Sequence, residues 1–116
     1  MAIETNFTPG PWKVTRVDYP GRRDVSFEVV AGAQNTVILQ THMRDLQSYE
    51  AELIPTDEAN CNLAAAAPEM YEALKAVQPF VKRFAEHAEQ RFGIMPADFA
   101  NALQAIETAF RKVASA

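Results

Sequence analysis

The 116-residue sequence predicts an α+β fold: a three-stranded antiparallel N-terminal β-meander packed against a short helix and a C-terminal antiparallel helical hairpin. Three observations carry this reading. Val25, Phe27 and Val29 alternate with Ser26, Glu28 and Val30 at the period of a strand with one buried face. Pro55-Thr56-Asp57-Glu58 has the chemistry of a helix start. Beyond Pro68, two apolar stripes recur at alternating intervals of four and three residues, the spacing of amphipathic helices.

Pro9, Gly10 and Pro11 hold the chain extended or turning, and a first strand follows from Trp12 to Val17, with Trp12 as a large anchor at the sheet edge. Tyr19-Pro20-Gly21 predicts a type II turn, because proline presets one central position and glycine tolerates positive φ at the other. Residues 25–30 form the second strand. Gly32 and Asn35 turn the chain into a third strand, Thr36 to His42, rich in β-branched and apolar residues. Residues 44–55 are acidic and weakly patterned, fitting a loop, a helical turn or a short edge strand. Thr56 is the expected helix cap, with Asp57 and Glu58 at the positive end of the helix dipole. This helix runs to about Ala66. Ala64–Ala67 permit close packing, and Pro68 sets a bend into the next helix.

Met70, Leu74, Val77, Val81, Phe84 and Ala88 make one stripe that keeps its register past Pro79, which predicts a single long helix kinked near residues 75–79, two helices broken there being the alternative. Gly93 suits a left-handed cap. Pro96 and Asp98 then open a last helix whose stripe is Phe99, Leu103, Ile106, Phe110 and Val113. Such helices reach roughly 30 Å, longer than one face of a three-stranded sheet requires. A homodimer through the C-terminal hairpin is therefore expected.

The length fits one domain, residues 1–43 forming the meander and 56–116 the helical part. With 48% hydrophobic and 22% charged residues the composition is that of a folding chain. No apolar run approaches a membrane span, and MAIETNFTPG has neither a basic nor an apolar leader segment, so a cytoplasmic protein is expected. Net charge is −4. The excess lies mid-chain, in Asp45, Glu50, Glu52, Asp57, Glu58, Glu69 and Glu72 against Arg44 alone. A nucleic-acid binder gathers basic charge, so no direct nucleic-acid partner is expected.

Catalytic residues, metal ligands and cofactor-binding motifs are not evident. Cys61 is the only cysteine, which excludes an intramolecular disulfide, and it reads as a small buried hydrophobe in an alanine-rich helix. His42 and His87 lack metal-ligand spacing, and the four glycines are scattered. Glu69-x-x-Glu72 and Glu86-x-x-Glu89 superficially resemble the carboxylate sets that hold magnesium in all-helical nucleotide pyrophosphohydrolases of the MazG type. Those enzymes gather carboxylates from facing helices, whereas here the two motifs lie along one helix, about 25 Å apart.

Thr8-Pro9-Gly10-Pro11-Trp12 and the run Ala59-Asn60-Cys61-Asn62-Leu63-Ala64-Ala65-Ala66-Ala67-Pro68-Glu69-Met70-Tyr71-Glu72-Ala73-Leu74-Lys75 together resemble a family of small phage and prophage proteins. That family has a TPGPW start and a core reading roughly A-N-A-x-L-I-A-A-A-P-E-L-L-E-A-L. The chain departs from it at Cys61, at Ala64 and in the longer acidic stretch before Thr56. The resemblance implies a phage context and no enzymatic mechanism. By analogy with other small phage proteins, it implies binding of a host or phage protein, inhibition of a CRISPR-type or other bacterial defence system being one form of this. A minor structural role in the virion is the alternative to both binding and hydrolysis. Asp57, Glu58, Glu69 and Glu72 are the candidate protein-binding residues. Pro9, Gly10, Pro11, Trp12, Asn60, Asn62 and Pro68 are the structural motif, the two asparagine amides being expected to bind the Thr8–Trp12 backbone and lock it to the helix.

Overall fold

The fold is that of a computed structural model, which describes residues 7–93 and 97–114. Its elements are strands β1 (Trp12–Asp18), β2 (Asp24–Ala31), β3 (Thr36–Gln40) and β4 (Arg44–Asp45), a 3-10 turn (Tyr49–Leu53), and helices α1 (Ile54–Ala65), α2 (Ala67–Phe92) and α3 (Ala97–Ala114). The class is α+β, with the antiparallel meander first and the helical pair last. The chain gathers into two compact units, Thr8–Met70 and Phe7 together with the residues from Tyr71 onward.

In the first unit, β2 is central, with β1 and β3 outside it. Both predicted turns form. Arg22 N donates to Tyr19 O across Pro20-Gly21, where Gly21 has φ 73°, and Asn35 N donates to Gly32 O, with Gly32 at φ 76° and Asn35 at φ 51°. β1 pairs with β2 from Trp12 opposite Ala31 to Asp18 opposite Val25. β3 pairs with the far end of β2 and carries no charged residue. The register shifts between Val29, opposite Leu39, and Val30, opposite Val37, so Ile38 is the extra residue. Ile38 packs on the core.

The third strand stops at Gln40, short of the expected His42, because Thr41 replaces the regular ladder. Its N–H donates to Phe27 O and its Oγ1 accepts from Phe27 N, both at 2.9 Å. The chain then returns to β2 as β4, with Arg44 opposite Val25 and Asp45 opposite Asp24. This is the structure adopted by part of the weakly patterned 44–55 segment. The helix start also differs from expectation. Ser48 Oγ accepts from Glu50 N to cap the 3-10 turn, which runs directly into α1. Thr56 is therefore already inside the helix, and no side chain caps α1 itself.

Val25, Phe27, Val29 and Cys61 form the buried core, with Trp12, Val14, Ile38, Ile54, Ala64 and Ala65 packed around them. α1 thus covers one sheet face through Ile54, Cys61 and two of its alanines, and burying Phe27 alone contributes about 1.5–3 kcal/mol. The alternation in β2 predicts one buried face, yet Ser26 and Val30 on its other side are buried too. Tyr19 and Gln40 reach over Ser26: the Tyr19 hydroxyl lies 3.0 Å from Ser26 Oγ, and Gln40 Nε2 donates to both oxygens.

In the second unit, α2 is one helix with Pro79 inside it. Gly93 ends it at φ 77°, its N–H donating to Glu89 O at 2.7 Å. Pro96 lies outside the described residues. Tyr71 meets Phe7 and Phe110 edge-on, with ring centroids 5.3 and 5.5 Å apart. Contact between the start of α2 and the end of α3 makes the pair antiparallel. Tyr71, Ala85, Ala88 and Ile106 are buried. The stripe read from the sequence is split: Leu74, Val81 and Ala88 face inward, but Met70, Val77 and Phe84 are exposed. The small Ala85 and Ala88 are buried while the larger Val77 and Phe84 are not, so the inward side of α2 differs from the one that the larger side chains predict.

Candidate interaction sites

The two sequence segments that carry the motif meet in the first unit. Trp12 Nε1 donates to Thr8 O at 3.0 Å, folding residues 8–12 into a strap. Gly10 sits against Pro68, so that a Cβ added at position 10 would stand 2.8 Å from Pro68 Cβ and 3.3 Å from Cγ. Only glycine fits this approach. Pro68 is buried, and Glu69 Oε1 lies beside the same point, 3.6 Å away. Asn60 and Asn62 are exposed on α1; the strap is seated by the Gly10–Pro68 contact instead.

Beside the strap is a groove of about 570 Å³. Thr8, Pro9, Gly10 and Pro11 make one wall, and Lys13, Val30, Ala31, Gly32 and Thr36 contribute the rest. It offers an apolar lining, one ammonium group and two hydroxyls, a combination that suits a peptide or side chain more than a catalytic step. Lys13 and Thr36 escape motif-based reading because they reach the groove only through strand pairing, Lys13 opposite Val30 and Thr36 opposite Ala31.

Asp57, a candidate for partner contact, is instead buried on α1. Arg44 grips it with two hydrogen bonds, Nε to Oδ2 at 2.8 Å and a terminal nitrogen to Oδ1 at 3.4 Å. That hydrogen bonding raises the already high pKa of Arg44. Cys61 lies one helical turn beyond Asp57 and is 1% exposed. Burial, and secondarily the Asp57 carboxylate, push its thiol pKa up, which makes it a poor nucleophile at neutral pH.

Glu58, Glu69 and Glu72 are exposed, Glu72 pairing with Lys75 at 3.3 Å. Glu69, Glu72, Glu86 and Glu89 all stand on α2. Among the described residues, no three His, Cys, Asp or Glu side chains are grouped to hold a metal ion. Nor is any described helix long and apolar enough to cross a membrane.

The outer face of α2 is a third surface. Val77, Phe80 and Phe84 are 47, 59 and 63% exposed. Arg83 lies over the Phe80 ring, 5.8 Å from its centroid, and Phe80, Arg83, Phe84 and His87 line a shallow cleft of about 250 Å³. A second stripe at 73, 77, 80 and 84 is legible in the sequence and shares Val77 and Phe84 with the stripe from Met70 to Ala88.

Compared with known proteins, the chain matches no curated protein and no solved structure. A family model described as Salmonella phage P22 protein Y8K6 matches residues 1–114. Covering nearly the whole sequence, that match establishes that the chain belongs to this phage protein family.

Proposed function

We propose that the protein is a non-enzymatic phage or prophage accessory protein that acts in the host cytoplasm by binding a host or phage protein, inhibition of a bacterial defence system being one form of this. One observation carries this reading: the two motif segments meet where Gly10 seats on Pro68, and the strap residues Thr8–Pro11 held there build one wall of an open groove. The groove accepts an extended segment of a partner, its apolar lining taking a side chain while Lys13 meets a carboxylate or carbonyl. Exposed Glu58, Glu69 and Glu72 add attraction toward a basic surface, weakened by salt.

The test is affinity capture from infected host cells with mass spectrometry, comparing wild type with Lys13→Glu and Thr36→Arg. Wild type retains a partner that both variants lose, while their melting temperatures stay unchanged. Equal capture by all three, or magnesium-dependent hydrolysis of a nucleoside triphosphate, refutes the proposal.

A further inference from the structure

We infer that the protein pairs with a second copy of itself through the outer face of α2, the two helices lying antiparallel with Phe80 at the two-fold axis. None of its residues lines the groove, although Glu69 Oε1 also stands beside the strap. Glu69, Ala73, Val77, Phe80, Phe84, His87 and Arg91 follow one another at intervals of three or four residues, so they share a face of α2. All seven are exposed. The face is graded along its length: acidic Glu69 in the first turn, apolar residues in the middle, His87 and then Arg91 in the last turns.

That order makes the face complementary to itself in one orientation. With Phe80 central and the partner helix reversed, Val77 falls opposite Phe84, Ala73 opposite His87, and Glu69 opposite Arg91. Each contact occurs twice, as two-fold symmetry demands. A parallel pairing instead sets Glu69 against Glu69 and Arg91 against Arg91, and like charges reject it. The antiparallel pair buries an aromatic patch that is otherwise in water, places small Ala73 where the His87 ring needs room, and leaves Glu69 and Arg91 at the rim, with Arg83 lying over the central Phe80 ring. Val81, Ala85 and Ala88 turn a different side of α2 inward, so this pairing leaves the antiparallel helical pair intact.

Sedimentation equilibrium and light scattering of the full chain at tens of micromolar test the inference. Wild type runs at twice the 12.9 kDa chain mass. Phe84→Glu runs as a monomer with unchanged helicity by circular dichroism. Glu69→Arg and Arg91→Glu each weaken the dimer by about tenfold, and both together in one chain restore it, because the reversed charges again face each other. Should Phe84→Glu fail to fold, Phe80→Cys supplies an independent readout. The introduced thiol meets its own copy at the axis and crosslinks on oxidation, while buried Cys61 stays out of the reaction. A monomeric wild type, a dimer indifferent to Phe84→Glu, or a doubly reversed chain that does not recover overturns the inference.

Discussion

Arg44, on a strand only two residues long, holds both carboxylate oxygens of Asp57 on α1 and so ties the sheet to its covering helix. β4 has too few ladder bonds to persist by itself, and the ion pair supplies the second attachment. Asp57→Ala and Arg44→Met should each lower the urea unfolding midpoint, since each strands the other charge in a sparsely hydrated site. The double replacement should recover part of the loss. Urea titrations of the four proteins in a double-mutant cycle measure the coupling, and additive losses would refute it.

Gly10→Ala should cost about 1–3 kcal/mol, the usual penalty of forcing extra atoms into a packed contact. The added methyl would stand 2.8 Å from Pro68 Cβ. Pro68→Gly in the same chain should relieve much of that strain. Equilibrium denaturation of the single and double variants distinguishes this contact from a general intolerance of the strap.

The Cys61 thiol should resist Ellman's reagent in the native protein near neutral pH and react fully in denaturant. Its folded pKa is raised by burial first and by Asp57 second. The native state therefore keeps its proton to higher pH than the unfolded chain, whose thiol titrates near 8.5. Stability linked to this group is fully present below that value and is lost as pH rises from there through the folded pKa. Cys61→Ala should flatten the alkaline part of the stability profile measured by denaturant melts between neutral and strongly basic pH.

Tyr19→Phe should lose about 1 kcal/mol, the net worth of a hydrogen bond, by leaving Ser26 with Gln40 alone. Thermal melts measure it, and a Gln40→Ala background should shrink the effect, because Tyr19, Ser26 and Gln40 share one network.

Pro79→Ala should stabilise the protein, by up to about 3 kcal/mol. Proline occupies the interior of a helix that runs unbroken from Ala67 to Phe92, and the position is exposed, so alanine adds a backbone donor without disturbing a core. A rise in melting temperature with greater helical ellipticity checks this.

Features set by local chemistry were legible in the sequence. Gly21, Gly32 and Gly93 take the positive φ that their turn or cap contexts demand, and the alternation of Val25, Phe27 and Val29 identifies the buried central strand. Features that depend on distant partners were not. β4 exists through pairing with Asp24 and Val25, and the third strand ends where the Thr41 hydroxyl reaches Phe27. Ser48 displaced Thr56 as the cap because the 3-10 turn carries the helical path upstream. On α2 two apolar stripes compete, and periodicity cannot tell which one packs; burial falls on the side that carries Ala85 and Ala88. Among the candidate binding residues, Asp57 reads like its acidic neighbours, and only the position of Arg44 removes it from the surface.

The end strand β3 has a further consequence for handling the protein. Thr36-Val37-Ile38-Leu39-Gln40 presents an outer rim with no lysine, glutamate or proline to repel another chain. Its brevity and the local twist of its bulge are what discourage runaway stacking. Concentrated samples should therefore form fibres from this rim only when that protection is overcome, and a lysine introduced at the exposed Val37 should keep the solution clear even then.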